Sequence, residues 1–543
     1  MSVAGGCKSD AVTLPSDYNK VTYKPVRLDA SATGSSFAAL AGLMGNPQPV
    51  VEGDKNLFET LQEVGGPTLF RIPEGYLCDY TLSGIFPNPA ADPEVEASYN
   101  FSKIDTILQT AGAYPGVAAA AGDGFGPVKL SFQAIFDLGL DTCSVDGDGI
   151  QTGQGIVDVP RWTTVVVNAL RHWNQSLLSA SDLLVYKGAR DFHVRHVEFI
   201  SDPLGRGGFA DMGAVVAAYR IFGQGVRDAF PSPATGGPAP IRLVAPSFAL
   251  TAATEAESTI GAFLDALGGD AATLIDVIAF ETVAESPQDA QDIAKAVRAV
   301  VDAKLPGTAI WLARLDVAEA TVPSLPTQSL ISETQRRTWS LAHGAFSVGT
   351  RIALQGVVDE LGMWRLDRRY RTVTPTSTSV EESPMWRSTG KVLPATVAFK
   401  AANRLRGNGQ KLLGVVYGDT TVEAGIVDAG TVESEKIWVA ATLEAERPCP
   451  NDEENVCPMI RVLVANVESG AEARQVEYQV TLTGVNAGTR LVTARRSPVR
   501  SSSEDLNAEA PEQVALSEGV IAYRFASAVP GVDYVEFELG VSQ

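Results

Sequence analysis

An alternation of strand-like and helix-like stretches constrains the fold of this chain more than any other feature of its sequence. Apolar runs of strand length recur from residue 32 to residue 366, and amphipathic stretches with leucine, valine and alanine at helical spacing lie between them. The strand-like runs are eight in number: ATGSSF, TLFRI, VKLSFQAIF, HVEFI, IRLVAPSF, LIDVIAF, TAIWLARL and LGMWRL. Eight strands, each followed by a helix, are the count of a TIM barrel, the (β/α)8 fold. A doubly wound open sheet is the alternative, but the glycine-rich phosphate turn that usually follows its first strand is missing.

The pattern changes near residue 385. A helix-like stretch, PATVAFKAANRLRG, precedes short β-rich runs separated by turn residues, which is typical of an antiparallel β-sandwich. We therefore predict an α/β chain with a flexible tail over residues 1–22, a TIM barrel over 23–385 and a C-terminal antiparallel β-sandwich domain over 386–543. Residues near the amino terminus are candidates for completing the sandwich.

The net charge narrows the range of partners. With 64 acidic and 43 basic residues the chain carries a formal charge of −21, which repels nucleic acid and anionic lipid. No stretch approaches the ~20 consecutive apolar residues that a bilayer-spanning helix needs. We expect no nucleic-acid partner and no transmembrane segment.

The cysteines indicate an oxidising compartment. Cys449 and Cys457 bracket a short polar loop between two strand-like runs, and no histidine lies nearby to suggest zinc, so a local disulfide is predicted. Cys78 and Cys143 each follow a predicted strand and are candidates for a second disulfide across one rim of the barrel. This pattern favours an exported protein, extracellular or at a bacterial cell surface.

The remaining cysteine, Cys7, stands in the sequence AGGC, which resembles the end of a bacterial lipobox. On that interpretation Cys7 is lipidated and anchors the protein to a membrane. The alternative is a flexible tail with an incidental cysteine, because the charged and apolar regions of a signal peptide do not precede it.

Polar side chains at the carboxyl ends of the predicted strands are the candidates for function, because that end of a TIM barrel carries the working residues. They are Arg71, Glu74, Asp137, Ser201, Asp202, Glu281, Arg314 and Asp316. Several carboxylates around one mouth suit glycoside hydrolysis, in which retaining enzymes use two carboxyl groups about 5 Å apart. Trp364, near the end of the eighth strand, is a candidate for stacking on a sugar. The predicted ligand is a polysaccharide or oligosaccharide.

One loop, DTCSVDGDGIQTGQG, raises the question of a metal ion. Asp146 and Asp148 are spaced as in calcium loops, but no bidentate glutamate follows at the required distance. We expect no metal ion and no cofactor, and calcium at this loop stays an open alternative.

A resemblance gives the strand ends more specific roles. The motifs GSSF, FRIPEG, YNFSKIDTIL, VKLSFQAIF, VEFISDP, RLVAPSF, DVIAFET and IWLARLD follow in an order and spacing that resemble glycoside hydrolase family 39. That family holds β-xylosidases, α-L-iduronidases and bacterial exopolysaccharide hydrolases, within the clan of retaining barrel glycosidases. The resemblance covers residues 30 to 543, and YNFSKIDTIL is the best match. It implies a TIM barrel followed by a β-sandwich.

The catalytic motifs of the family match this chain less well. Where the family has tryptophan, asparagine, the acid/base glutamate and proline after strand four, this chain has Ile200, Ser201, Asp202 and Pro203. Aspartate is shorter by one methylene, on the order of 1 Å, and a misplacement of that size can cost about a hundredfold in rate.

The other family positions differ as well. Arg314 stands at the nucleophile position after strand seven, and a guanidinium has no accessible neutral form with which to attack. Pro73 and Glu281 stand where the resemblance implies histidine.

Three functional hypotheses follow. In the first, Asp202 and Arg314 form an ion pair, retaining hydrolysis is lost, and the protein binds a glycan or acts as a surface scaffold for assembly partners. In the second, an active glycoside hydrolase uses Asp202 as acid/base and Glu281 or Asp316 as a shifted nucleophile. Against this stand simpler roles, with Glu281 paired to a nearby arginine and Asp316 capping the next turn. In the third, the chain is a purely structural surface or filament component.

Overall fold

Two β-sheets, one parallel and one mainly antiparallel, organise the chain. The computed structural model describes residues 24–38, 40, 43–44, 68–72, 85–86, 88, 91–102, 105, 129–133, 158–185, 188–205, 208–232, 238–318, 333–363, 392–406, 410–417, 437–449, 452–467, 474–485, 489–514, 516–517 and 520–541. Within these ranges no helix is long and apolar enough to cross a membrane.

The parallel sheet is the barrel. Its strands are β2 (Leu43–Met44), β3 (Leu69–Ile72), β4 (Lys129–Gln133), β5 (Val194–Glu198), β6 (Arg242–Val244), β7 (Phe248–Leu250), β8 (Val277–Ala284), β9 (Ala309–Val317) and β10 (Glu360–Met363). They pair in the order β10-β9-β8-β6-β5-β4-β3-β2, with β7 beside β8. The two end strands, β2 and β10, contact each other, so the sheet curls round on itself. The predicted α/β fold class, a TIM barrel with a β-sandwich, is confirmed.

Several of the barrel helices begin at a residue whose side chain caps the helix. The helices are α1 (Val159–Trp173), α2 (Ala180–Val185), α3 (Met212–Ala229), α4 (Ala262–Leu267), α5 (Ala271–Leu274), α6 (Pro287–Lys304), α7 (Glu333–Ala353) and α8 (Pro394–Asn403), with short 3-10 turns at Glu96–Ser98, Gln175–Leu177 and Gly268–Asp270 and a π-helical turn at Glu257–Gly261. Asp158, Asp211 and Ser286 cap α1, α3 and α6, each side chain accepting a main-chain N–H three residues on, at 3.0, 2.8 and 3.1 Å. Such caps satisfy donors that have no partner within the helix.

The antiparallel sheet folds into the sandwich. Its strands are β1 (Lys24–Thr33), β11 (Gln410–Tyr417), β12 (Ile437–Glu444), β15 (Met459–Asn466), β16 (Arg474–Thr483), β17 (Thr489–Val499), β18 (Glu512–Val514), β19 (Leu516–Ser517), β20 (Val520–Val529) and β21 (Gly531–Val541). The order is β18-β17-β21-β15-β12-β11-β1-β16-β20-β19, and strands of the two halves enclose a core of buried side chains that includes Val462, Tyr478 and Phe537. A separate hairpin of β13 (Pro448–Cys449) and β14 (Asp452–Val456) carries the predicted Cys449–Cys457 disulfide, which is confirmed.

The first strand-like run does not belong to the barrel. Residues 24–33 form β1, which pairs antiparallel with β11 and parallel with β16, so the expectation of a barrel strand at ATGSSF is wrong. Val26 and Leu28 are buried and Arg27 is exposed, an alternation that suits a sheet with one face toward solvent, whereas a barrel strand is apolar on both faces. The first barrel strand is the short β2. The exact domain limits at residues 23 and 386 stay a prediction.

Helices α7 and α8 join the two parts. Phe399 of α8 and Trp438 and Leu463 of the sandwich belong to the same buried cluster as the side chains beneath the barrel helices. Helix α7 also contacts β12, β15 and β21. The barrel and the sandwich therefore share one continuous apolar core.

Candidate functional site

The chain after β5, the fourth strand of the barrel, is held by main-chain pairing. Ser201 forms a parallel bridge with Ser247, the Asp202 N–H donates to the Ser247 carbonyl at 2.7 Å, and the Ser247 N–H donates to the Ile200 carbonyl at 2.9 Å. These bonds extend the sheet past the end of β5 and fix where the side chains of residues 201 and 202 begin.

Asp202 turns its side chain toward its own loop. Its backbone lies in the left-handed region with φ +45°, which aspartate tolerates better than most residues. The carboxylate Oδ1 accepts the Gly205 N–H at 3.2 Å. A side chain at position 205 would meet this carboxylate, because a Cβ placed there would lie 2.3 Å from Asp202 Oδ2. The half-buried carboxylate therefore shapes the turn that follows strand four.

Ser201 faces strand six of the barrel. Its hydroxyl donates to Glu281 Oε1, and both side chains are buried, with 2% and 4% of their surface exposed. Glu281 lies in β8, opposite Arg314 in β9, immediately after an irregularity in the register of the two strands. The sheet thereby brings three of the predicted site residues to one place.

Arg314 lies between two carboxylates. Its Nη2 and Nε atoms lie 2.7 and 3.1 Å from Asp316 Oδ2, and its Nη1 lies 3.8 Å from Glu281 Oε2. Asp316 is two residues on in β9, so the two side chains point to the same face of the strand. We refer to Ser201, Glu281, Arg314 and Asp316 as the Arg314 cluster.

The Arg314 guanidinium contacts Glu281 and Asp316, because the alternation of β9 and the register with β8 set those carboxylates beside it. The simpler role weighed for Glu281, a carboxylate paired with a nearby arginine, agrees with this contact. Asp316 also pairs with Arg314. An ion pair between Asp202 and Arg314 stays a prediction.

Sequence reasoning missed a further buried carboxylate. Glu198, in β5, is fully buried and accepts a hydrogen bond from the Ser247 hydroxyl. On the same strand and two residues before it, His196 packs against Trp311 of β9 with ring centroids 5.0 Å apart. The signal was present in HVEFI, where Glu198 is a carboxylate in an otherwise apolar strand.

At the edge of the barrel, Thr68 donates to Glu360 Oε2 at 2.8 Å.

Several predicted residues cannot be placed with the others. The backbone of Arg71 lies in β3, and its side chain is not among those described. Glu74, Asp137, Trp364, Cys7, Cys78, Cys143 and the loop with Asp146 and Asp148 lie outside the described residues. Among the described side chains, no group of three His, Cys, Asp or Glu residues is arranged to hold a metal ion.

The Arg314 cluster holds two of the carboxylates predicted for this mouth, Glu281 and Asp316. A retaining glycosidase needs one carboxylate that attacks the sugar and a second, about 5 Å away, that transfers a proton. Glu281 and Asp316 both lie within ion-pair distance of Arg314, and Glu281 also accepts from Ser201. Removing the cation would leave two buried carboxylates without a counter-charge, which is strongly destabilising.

Comparison with known proteins places the fold. Neither a protein-family model nor a curated protein matches the sequence. Among solved structures, a glucosidase from Croceicoccus marinus is 17% identical with a TM-score of 0.62, and covers 96% of this chain and 100% of its own. A GH39 enzyme from Xanthomonas axonopodis pv. citri is 14% identical with a TM-score of 0.60, over 97% and 100%. A bacterial orthologue of human α-L-iduronidase is 13% identical with a TM-score of 0.57, over 96% and 84%.

These likenesses span nearly the whole chain and include both the barrel and the sandwich. The architecture is therefore that of a glycoside hydrolase barrel with a C-terminal β-sandwich. More particularly, it is a fold similar to glycoside hydrolase family 39.

Proposed function

We propose that this chain is a glycoside hydrolase-like protein that binds a polysaccharide or oligosaccharide at the carboxyl end of the barrel and has lost retaining hydrolysis. The observation that carries the proposal is the Arg314 cluster. A guanidinium lies in strand seven, and two of the predicted carboxylates, Glu281 of β8 and Asp316 of β9, lie within ion-pair distance of it. The glycan as ligand is supported by the likeness to carbohydrate-cleaving enzymes.

The proposed location is outside the cell or at the bacterial cell surface. The Cys449–Cys457 disulfide supports this, since disulfides persist in oxidising compartments. A lipid anchor at Cys7 and surface assembly partners belong to the same proposal and are supported by the sequence alone.

Hydrolysis and binding are tested with one panel of aryl glycosides and bacterial exopolysaccharides. The wild-type chain is expected to release no sugar above the rate without protein and to bind at least one polysaccharide in affinity electrophoresis. The variants are Asp202→Asn and Glu281→Gln, with Glu285→Gln as the matched control, because Glu285 is an exposed carboxylate just past the end of β8.

The outcomes separate the hypotheses. Turnover that is lost in Asp202→Asn or Glu281→Gln and kept in Glu285→Gln would overturn the loss of hydrolysis and establish a shifted carboxylate pair. No turnover and no binding to any glycan would refute the binding role. The hypothesis of a purely structural surface component would then remain.

A further inference from the structure

A loop of the sandwich lies on the barrel helices. Residues 500–506 follow β17 and reach Arg337 in the second turn of α7, which is a buried side chain. The Arg337 guanidinium donates through Nε to the Ser501 carbonyl and through Nη2 to the Ser503 carbonyl at 2.5 Å. Its Nη1 lies 3.7 Å from Glu504 Oε1. A planar fork of donors suits this kind of paired contact better than an ammonium group does.

The same loop contacts α8. Lys400 Nζ donates to Asp505 Oδ1 at 2.5 Å, and Leu506 packs against the core that the barrel and the sandwich share. Two helices that follow successive barrel strands are thus held by one segment of the sandwich.

The base of the loop is anchored in the sandwich. Asp533 is fully buried and accepts from Arg496 Nη2 at 2.7 Å, and Arg500 Nη1 lies 3.5 Å from the same oxygen. The Arg496 guanidinium also stacks on Phe525, with 4.9 Å to the ring centroid. The loop therefore starts from a position that the sandwich core determines.

The part of α7 that the loop holds extends past the neighbouring helix. A Cβ at Gly349 would lie 3.1 Å from Pro287, the first residue of α6, so Gly349 marks the level at which α6 begins. In a barrel both helices run away from the carboxyl ends of the preceding strands. Residues 333–348 therefore extend beyond the start of α6, by about 24 Å at 1.5 Å per residue.

We propose that residues 500–506 form a polar strap through which the sandwich holds the amino-terminal half of α7 in place beside the barrel mouth. The strap acts through two kinds of contact. Arg337 binds main-chain carbonyls at a buried point, and Lys400 binds Asp505 at an exposed one, where the Asp505 side chain has 58% of its surface accessible. This inference does not depend on glycan binding.

Hydrogen exchange of the full chain, followed by mass spectrometry, tests the strap. In the double variant Arg337→Ala/Lys400→Ala, amides of residues 337–345 are expected to exchange at least about tenfold faster than in wild type. The reason is that the amino-terminal half of α7 loses its contacts with the strap. Arg337→Lys keeps the charge but not the fork and is expected to give an intermediate rate.

Arg220→Ala is the matched control. Arg220 also donates to carbonyls, at 2.9 Å to Ala266 and 3.2 Å to Leu267, and pairs with Asp270 at 2.8 Å, with all three partners within the barrel. Its loss should speed exchange near residues 262–270 and leave α7 unchanged.

The proposal fails if the double variant keeps the wild-type circular dichroism spectrum and wild-type exchange over residues 337–345. If the double variant does not fold, exchange of the wild type is measured in 1 M salt instead. The Debye length is then about 3 Å, so the attraction between Lys400 and Asp505, an exposed pair, is weakened. Faster exchange of residues 400–405 in salt supports the strap, and unchanged exchange there refutes its exposed contact.

Discussion

At the scale of residues, one cation organises the candidate site. Arg314 lies in β9 and pairs with one carboxylate of its own strand and one of β8. The Asp202 carboxylate accepts the Gly205 N–H through Oδ1. The resemblance to glycoside hydrolase family 39 predicts an altered catalytic pair. It did not identify Glu281 as a partner of Arg314, because that contact depends on the register between two strands.

We expect Arg314→Met to lower the free energy of unfolding by about 3–5 kcal/mol, since it leaves Glu281 and Asp316 buried without their cation. Urea unfolding measures the loss. Removing the two negative charges as well, with Glu281→Gln and Asp316→Asn in the same chain, should recover part of the lost free energy of unfolding. Arg220→Ala, at an exposed ion pair, should cost under about 1 kcal/mol. A loss as small as that for Arg314→Met would show that the cluster is not a charge-compensated unit.

At the scale of elements, the motif that resembled the family best has a structural role. Asp105, from YNFSKIDTIL, lies 2.9 Å from His172 Nε2 and accepts the Trp173 indole N–H at 3.2 Å. Phe101 stacks on the His172 ring, with centroids 3.7 Å apart. The motif therefore ties the segment after strand two to the end of α1.

Helices α7 and α8 approach closely at a glycine. A Cβ at Gly344 would lie 2.9 Å from Ala395 Cα, which is backbone and cannot rotate away. Gly344→Ala is expected to destabilise the chain by about 1–3 kcal/mol through overpacking. Thermal unfolding measures this, with Gly269→Ala as the control, because nothing lies within 4 Å of a Cβ at position 269. Equal melting temperatures for the two variants would contradict the close approach.

At the scale of the whole molecule, the sandwich and the barrel are joined by a shared core and by the strap. The strap makes the stability of the folded chain depend on pH. The hydrogen bond from Lys400, with Arg404 nearby, holds the pKa of the Asp505 carboxyl below its ordinary value of 3.8. A carboxyl whose pKa is lower in the folded state stabilises that state fully above its unfolded pKa. The contribution disappears as the pH falls through the folded pKa.

Wild type is therefore expected to be more stable than Asp505→Asn near neutral pH, with the difference shrinking as the pH falls below 3.8 and through the lower pKa of the folded state. Urea midpoints of the two proteins between pH 3 and pH 7 measure it. The control is Asp228→Asn, an exposed carboxylate on α3, whose removal leaves the strap intact. A difference between wild type and Asp505→Asn that persists unchanged at pH 3 would exclude the ionised pair as its source.

The sequence by itself determined the class of fold, because hydrophobic periodicity is local: the alternation of apolar runs and amphipathic stretches gave the barrel, and the turn-separated β runs gave the sandwich. It also determined the Cys449–Cys457 disulfide, which closes a short loop. Only the tertiary structure decided that residues 24–33 pair with β11 and β16, and that Glu281 lies beside Arg314. These are contacts between segments distant in the chain or set by strand register, on which local periodicity carries no information.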